Sequence, residues 1–405
     1  MKKGLAQILA LVWAGLMIAI LSSALTLAVS GSGDRRAVTQ EEYDTIKRYA
    51  RLDEVRALLM TQYYKPVEED ALMTGAIRGM VSALKDNYSY YYTPEEMTRE
   101  KEDDAGRYFG IGVLVERNGN GNIEIVRVYK GGPAEAAGLQ LGDLIVAVDG
   151  EPVDALTASN YRGAVAKMRG AENTEVTVGV RRDGKTMEYK IIRSNLSISY
   201  AEYSLINGSV GYVSISQFTG DVADRFDDAV AYFQSNGVEG MVIDLRNNPG
   251  GYLDYVTRIA DRILPEGVIV YIEDRSGNRE YMRSDADFYD VPVVVLVNEM
   301  SASASEILAA SVQALGRGKV VGITTYGKGV VQTLTTFRED GAGIQYTTAS
   351  YFDANGRSIN GVGVTPDLEV ALDGSSVPFQ PDPESDNQLA AALRVLSAMN
   401  TTKGE

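Results

Sequence analysis

The spacing of apolar and polar residues predicts helices at the start of the chain. Glu41–Tyr63 and Asp70–Leu84 carry apolar residues at intervals of three and four, the pattern of amphipathic helices. Thr93 followed by Pro94 predicts the N-cap and first residue of another helix. We therefore expect an N-terminal helical region over residues 37–104. The tyrosines at 88 and 90–92 within it are expected to pack between helices or domains.

Residues 105–194 change to short strand-like runs separated by glycine-rich turns. A helix is predicted at Tyr161–Met168. Strands are predicted at Ile111–Glu116, Ile123–Val128, Leu144–Val148, Val176–Arg181 and Met187–Ile192. This run of short strands predicts a separate small β-rich domain.

Residues 195–372 alternate strand and helix patterns, which predicts a layered α/β core. The predicted strands are Val210–Ile215, Gly240–Leu245, Pro292–Val297 and Val320–Ile323. The predicted helices are Ala223–Gln234, Tyr252–Leu264 and Ser303–Leu315. Residues 373–405 are expected to form a loop and then a last helix, Asn387–Met399.

The first 36 residues have a different character. Lys2 and Lys3 precede a charge-free run, and its most apolar part, Leu5–Val29, has the length of a membrane span. The alternative is a secretory signal, with Ala28-Val29-Ser30 as the cleavage site. Either interpretation places the rest of the chain outside the cytoplasm, on the outer face of a bacterial cell membrane or secreted.

Composition excludes several function classes. The formal charge of −16 disfavours nucleic-acid binding, which needs clustered positive charge. The chain has no cysteine and no histidine, so thiolate chemistry, histidine-ligated metals and Ser-His-Asp catalysis within one chain are impossible. If the chain is an enzyme, its general base is a lysine, a carboxylate or a tyrosine.

Three stretches are candidates for chemistry. Ser301–Glu306 lies between an apolar strand and a helix, where a serine hydroxyl can be presented at a sheet edge; the spacing of Ser303 and Glu306 also fits a helix-capping box. Asp244–Gly251 leaves a strand through paired glycines, which allow close approach of a ligand. Around Lys328, the spacing from Gly322 mimics a phosphate-binding loop, but Gly329 replaces the required serine or threonine and a strand pattern follows.

Two resemblances join these stretches. Phe109-Gly110-Ile111-Gly112, with Gly132–Leu139 and Gly142–Ile145 after it, resembles a bacterial PDZ domain, whose glycine loop can bind a terminal carboxylate. Together with Asn247–Gly251, Ser301–Ile307 and Tyr326–Gly329, the chain resembles the C-terminal processing peptidases, or tail-specific proteases. This resemblance implies a crotonase-like α/β peptidase core with an inserted PDZ domain after the helical region. Lys85–Ser89 departs from the Pro-His-Ser segment usual in the family, and Tyr326 replaces a phenylalanine.

The resemblance also implies the site residues. The nucleophile falls on Ser303, the base on Lys328 and an orienting side chain on Gln332, which the two-residue strand period would place on the face of Lys328. The oxyanion hole would use backbone N–H groups of Ala304 and of Gly250 and Gly251. Peptide binding by the PDZ domain would use Phe109, Gly110, Ile111 and Gly112.

These assignments predict a serine endopeptidase that needs no metal or organic cofactor. Its substrate would be a protein or peptide with a free C-terminus, and a homodimer is possible through the terminal helices. The chief alternative is a catalytically silent PDZ protein that only binds peptides. A crotonase-type acyl transfer is a third interpretation, which gives the PDZ insertion no role.

Overall fold

The computed structural model describes residues 12–13, 15–18, 20, 22, 38–104, 107–117, 121–129, 131–156, 158–197, 199–373 and 381–403. These residues fall into two compact units, one up to Gly79 and one from Met80 onward. Most of the expected anchor or signal segment, including Ala28-Val29-Ser30, lies outside the described residues. Within the described ranges, no helix combines the length and the apolar character needed to cross a membrane.

The predicted N-terminal helices are confirmed. Helix α1 covers Gln40–Gln62 and helix α2 covers Glu69–Ser82. Thr39 caps α1 through a capping box with Glu42, and no residue of α1 is buried. Apolar residues of this helix, among them Ile46, Leu52 and Leu58, are exposed.

The region between α2 and residue 104 is not helical throughout. Tyr90–Tyr92 forms strand β1, which pairs antiparallel with Gly343–Gln345 far along the chain. Helix α3, Pro94–Asp104, then begins at the predicted N-cap: Glu96 accepts the N–H of Thr93 at 2.9 Å and donates its own N–H to the threonine hydroxyl. The tyrosines were thus predicted in the wrong secondary structure, because cross-strand pairing with a distant strand leaves no local signal.

The next elements form the small β-rich domain. They are β2 (Arg107–Gly110), β3 (Val113–Arg117), β4 (Ile123–Val128), α4 (Pro133–Ala137), β5 (Leu144–Val148), β6 (Glu151–Pro152), α5 (Ala158–Met168), β7 (Glu175–Arg182), β8 (Lys185–Ile192) and β9 (Ser194–Ser197). The main sheet is antiparallel with the order β3-β4-β5-β7-β8, so β3 lies at its edge. Fully buried side chains such as Ile111, Ile125 and Val178 fill its core.

The α/β core follows. Its elements are β10 (Ala201–Ile206), β11 (Val210–Ile215), α6 (Val222–Ser235), β12 (Gly240–Asp244), α7 (Leu253–Asp261), β13 (Gly267–Asp274), β14 (Arg279–Ser284), β15 (Val293–Val297), α8 (Ala304–Ala314), β16 (Gly318–Gly322), β17 (Val330–Thr336), β18 (Gly343–Asp353), β19 (Leu368–Glu369) and α9 (Asn387–Lys403). The predicted strand and helix alternation is confirmed here, with boundaries shifted by a few residues.

Two sheets organise this core. The larger has the order β10-β11-β12-β15-β16-β19, parallel except for β10. Helices α6, α7 and α8 cover one of its faces, through side chains such as Phe226, Ile259 and Leu308, while α9 covers the other through Leu389 and Leu396. In the second sheet, β18 pairs with β1, β17 and β13, and β14 completes it. Strand β18 therefore joins the N-terminal tyrosines to the core.

Candidate active site

The turn before α8 holds Ser303 in a strained conformation. Its φ of 55° and ψ of −114° lie in a region that residues other than glycine rarely adopt. A comparable sharp turn between strand and helix exposes the nucleophile of other hydrolases. Ser303 is the N-cap residue of α8, and its N–H donates to the Glu306 carboxylate at 2.8 Å. Both sequence interpretations of this residue, as a cap and as a presented hydroxyl, thus describe the same turn.

The Asn247–Gly251 turn packs directly against the serine turn. The Asn248 carbonyl accepts the Ala302 N–H at 3.0 Å and the Ser305 hydroxyl at 2.9 Å. A side chain on Gly250 would come within 2.7 Å of Ser303 Cβ, so this position requires glycine. The glycine-containing turn and the serine-containing turn are therefore held in one fixed arrangement.

The loop from Thr325 to Gly329 brings the lysine to the same place. The Tyr326 N–H donates to the Ser301 carbonyl at 3.0 Å, and the Lys328 N–H donates to Glu306 at 2.9 Å. Gly329 lies so close to Asn360 that a Cβ would be 2.4 Å from its backbone nitrogen. These hydrogen bonds and this close packing fix the backbone position of Lys328.

One cavity of about 360 Å³ joins these groups. It is lined by Ser303, Ala304, Gly251, Lys328 and Gln332, together with apolar side chains. Those apolar residues include Leu253, Ile307, Val330, Val331 and the ring of Tyr351. The structure thus brings together the serine, the lysine, the glutamine and two backbone amides that the sequence singled out.

The environment of Lys328 lowers the pKa of its amine. Burial is the main cause, because removal from water disfavours the charged form, and the negative charges of Asp86 and Glu306 oppose it. The amine nitrogen lies 4.7 Å from the centre of the Tyr88 ring. Within the described part of the chain, Nζ makes no hydrogen bond or ion pair. The lysine is therefore surrounded by groups that do not hold it in a close ion pair.

Asp86 is engaged elsewhere. It accepts hydrogen bonds from the Ser89 hydroxyl at 2.6 Å, the Thr347 hydroxyl at 2.7 Å and the Tyr88 N–H at 3.0 Å. Burial alone would raise its pKa, but these hydrogen bonds and the charge of Lys328 lower it below the usual value. Asp86 therefore carries a negative charge near the lysine at neutral pH.

Gln332 lies in the cavity but does not bond to the lysine. Its side-chain amide donates to the Thr347 hydroxyl at 3.2 Å, and that hydroxyl donates onward to Asp86. Lys328 and Gln332 nevertheless line the same cavity. Because Lys328 precedes β17 and the register shifts between Val331 and Gln332, regular strand alternation does not relate the two residues.

The predicted oxyanion donors divide into two groups. The Gly250 N–H donates to the Asn248 side chain at 2.9 Å, so it is engaged within its own turn. Ala304 is the first residue of α8, where a backbone N–H has no acceptor within the helix. Gly251 and Ala304 both line the cavity.

The glycine loop of the small domain is held by its carbonyl groups. The carbonyl oxygens of Phe109, Ile111 and Gly112 accept from the N–H groups of Gly170, Ala134 and Tyr129. Gly112 has a φ of +83°, which a residue with a side chain would adopt only with strain. The loop leads directly into β3, which is an edge strand of the sheet that the described residues form.

Four contributors to the site carried no clear sequence signal. Asp86 and Tyr88 approach the lysine from the segment that departs from the family pattern, and Thr347 and Tyr351 come from β18. Glu306 was noticed only as a cap. The sequence alone assigns no role to the others, because the segment around β1 and strand β18 meet only in three dimensions.

Sequence comparison finds three families along the chain. The profile of peptidase family S41 matches residues 209–370, and a PDZ domain profile matches residues 124–182. The profile of the activating protease CtpB N-terminal domain matches residues 11–96. Each match falls on a different structural region described above.

Named relatives match this chain over most of its length. A carboxy-terminal processing protease, CtpA, of Bacillus subtilis (strain 168) is 31% identical over 372 residues, which are 90% of this chain and 78% of the relative. A probable CtpA-like serine protease of Staphylococcus aureus (strain COL) is 35% identical over 79% of this chain. The chain spans only 64% of the length of that staphylococcal relative.

Solved structures agree on the fold. The photosystem II D1 C-terminal processing protease has a TM-score of 0.57 and 27% identity, over 82% of this chain and 94% of that one. A putative S41 protease from Bacteroides fragilis gives 0.53 at 19% identity, covering 85% and 97%, which is a likeness of fold alone. The expected mixed α/β architecture, with a PDZ domain and a helical N-terminal region, is confirmed.

Proposed function

We propose that this chain, which belongs to the S41 peptidase family and to its carboxy-terminal processing proteases, is a serine endopeptidase that cleaves proteins or peptides near their C-termini. One observation carries the proposal. Ser303, in a strained turn before α8, and Lys328, with a pKa lowered by burial, line the same cavity. A serine and a neutral amine at one site supply a nucleophile and a base without histidine.

The reaction begins when neutral Lys328 takes the proton from Ser303 Oγ as this oxygen attacks the peptide carbonyl. The backbone N–H groups of Gly251 and Ala304 stabilise the negative charge that develops on the carbonyl oxygen; one such donor is worth about 10²–10³ in rate. The protonated lysine then gives its proton to the leaving amine. Water attacks the acyl-enzyme with the same lysine as base and releases the second product.

Lys328 must leave the face of Tyr88 for this step. An aromatic face attracts the ammonium form of lysine, whereas proton abstraction needs the neutral amine. Gln332 orients the lysine indirectly, through Thr347 and Asp86. Binding of a peptide in the cavity would displace water, strengthen the desolvation of the amine and favour its neutral form.

The PDZ domain selects the substrate. Its glycine loop, Phe109–Gly112, would receive the terminal carboxylate, and the open edge of β3 would pair with the tail as an added strand. A peptide with a free C-terminus should therefore be cleaved faster than its C-terminally amidated form. Equal rates would contradict carboxylate recognition.

We also propose that the N-terminal segment places the enzyme outside the cytoplasm, as an anchor or a cleaved signal, and that α1 contributes to a homodimer. Trp13 is the sole tryptophan of the chain, so tryptophan emission from the mature protein would show that the segment is retained. Light scattering of the full chain, compared with a variant carrying polar substitutions at Ile46 and Leu52, tests the dimer.

The competing function is peptide binding without catalysis. It is favoured by the position of the lysine amine over Tyr88 instead of in an ion pair or hydrogen bond within the described residues. A fluorophosphonate probe separates the two functions. Labelling of the wild type but not of Ser303→Ala supports the peptidase, and no labelling of either supports the binding protein.

A further inference from the structure

Two buried side chains bind the main chains of both Ser303 and Lys328. The Glu306 carboxylate accepts the backbone N–H of Ser303 at 2.8 Å and that of Lys328 at 2.9 Å. The Tyr351 hydroxyl lies against the carbonyl oxygens of the same two residues, at 3.2 Å from that of Ser303 and in close contact with that of Lys328. The nucleophile and the base are therefore connected twice, once through their amides and once through their carbonyls.

A comparison within the chain shows that helix capping does not require this arrangement. Glu42 and Glu96 form capping boxes with Thr39 and Thr93, and each is at least partly exposed. Glu306 has the same position in its helix but is fully buried. It also accepts from the Thr325 hydroxyl at 2.5 Å and the Gly327 N–H at 2.7 Å. These bonds, with that from Lys328, join a second segment to the helix.

Burial of this carboxylate has an electrostatic cost. Burial raises the pKa of Glu306, and its hydrogen bonds act in the opposite direction. The negative charge also favours the ammonium form of Lys328, which opposes the proposed chemistry. A simple cap would not need this burial, since a cap functions equally well at the surface. The position is better explained by the two segments that it holds together.

We infer that Glu306 and Tyr351 are positioning residues that fix the serine turn against the lysine loop, so that Ser303 Oγ and Lys328 Nζ can meet. This inference rests on the proposed peptidase function. Neither side chain is assigned a proton-transfer step. Their effect is geometric, and a displacement of about 1 Å between reacting groups can cost about 10²-fold in rate.

The test compares Glu306→Gln and Tyr351→Phe with the wild type. Glu306→Gln replaces one accepting oxygen by an NH2 group, which cannot accept the hydrogen bonds that this oxygen received. Tyr351→Phe removes only the hydroxyl. We expect kcat to fall about 10- to 100-fold for Glu306→Gln and about tenfold for Tyr351→Phe, with KM changed by less than about threefold. The rate of labelling by a fluorophosphonate should fall in parallel, since it reports the reactivity of Ser303 without peptide binding.

Matched controls separate positioning from stability. Glu96→Gln alters a capping box elsewhere, and Tyr212→Phe removes a buried hydroxyl that donates to Asp244 at 2.8 Å on the other face of the large sheet. Both variants should lower the melting temperature, because each loses a hydrogen bond. Both should leave kcat within about twofold of the wild-type value. If Glu306→Gln does not fold, Tyr351→Phe still decides.

Ser303→Ala distinguishes failure of this inference from failure of the proposed function. An inactive and unlabelled Ser303→Ala, beside Glu306→Gln and Tyr351→Phe variants with wild-type kcat and labelling rates, would overturn the positioning roles alone. A wild type that neither cleaves peptides nor reacts with the probe would contradict both proposals. Loss of kcat in the two variants but not in the controls is the supporting result.

Discussion

Two clusters of charged groups in the α/β core differ in how their charges are paired. At the end of β12, Arg246 donates to Asp244 at 2.6 Å and to Asp386 at 2.7 Å, and its side chain is only 7% exposed. Near the N-terminus of α8, Lys328 has the carboxylates of Asp86 and Glu306 nearby, but these accept hydrogen bonds from hydroxyls and backbone amides. The cation of the first cluster therefore has carboxylate partners in direct contact, and the amine of the second cluster does not.

The consequence is opposite pKa shifts. Burial alone would lower the pKa of Arg246, but the two carboxylates raise it above its usual value. Burial lowers the pKa of Lys328 because the nearby charges compensate it less. A paired buried cation holds the fold, here joining α9 to the sheet through Asp386. An unpaired buried amine destabilises the fold when it is charged, and its neutral form is available as a base.

The largest expected effect is on activity. Lys328→Ala and Lys328→Arg should each reduce kcat by about 10²–10⁴, the contribution of a general base, since arginine cannot give up its proton. Steady-state cleavage of a peptide with a free C-terminus measures this, with circular dichroism as the control for folding. Substantial turnover by purified Lys328→Arg would refute the lysine as base.

The second effect is on stability at the paired cluster. Asp386→Ala should lower the free energy of unfolding by about 3 kcal/mol, because it leaves a buried guanidinium with one carboxylate. Urea denaturation measures the loss. The matched control is Asp224→Ala, which removes a partner of the exposed Arg258 and should cost a small fraction as much. Equal losses would contradict the distinction between buried and exposed pairs.

The third effect has the opposite sign. Lys328→Met should stabilise the protein at pH 7 by about 1 kcal/mol, or about 2–4 °C in melting temperature, because it removes an incompletely compensated buried cation. In the unfolded chain Lys328 keeps its proton up to its ordinary pKa, whereas in the folded protein it loses the proton at a lower pH. Stability of the wild type should therefore rise with pH in that interval, and that of Lys328→Met should not. A less stable Lys328→Met would contradict this.

The smallest effect is a shift in the pH profile. Activity should rise with pH as Lys328 loses its proton, and Asp86→Asn should move that rise to lower pH, because it removes a negative charge that favours the ammonium form. The measurement is kcat/KM against pH for both proteins. A shift to higher pH would show that Asp86 does not act on the lysine through its charge.

The sequence predicted the parts of the molecule that are local in character. Helices α1 and α2, the N-cap at Thr93 and the parallel strands β11, β12, β15 and β16 of the large sheet follow from periodicity or capping chemistry, whereas the two-residue strand β19 was not predicted. Strand β14 was missed because charged residues interrupt its apolar pattern. Strand β13 was missed although Val268–Ile272 is a continuous apolar run, because a short apolar run does not by itself distinguish a strand from a helix. Strand β18 was missed because its partner β1 is distant along the chain and its pairing with β17 is irregular. These strands form because they pair with one another in the second sheet, and this pairing leaves no local pattern in the sequence.

The candidate site divides in the same way. Ser303, Lys328 and Ala304 could be selected from motifs, since each lies in a recognisable segment. The engagement of the Gly250 N–H by Asn248, the path from Gln332 through Thr347 to Asp86, and the double connection through Glu306 and Tyr351 depend on tertiary contacts. No spacing along a single chain encodes such contacts.

The most direct test of the central claim is a titration of the Lys328 amine itself. Lysine labelled with ¹³C at Cε gives a chemical shift that follows protonation, and Lys328→Arg assigns the resonance. We expect the Lys328 signal to titrate below the ordinary lysine pKa of 10.5 and below the exposed lysines, and to fall further when a peptide occupies the cavity. A Lys328 resonance that titrates with or above the exposed lysines, with and without peptide, would contradict the account.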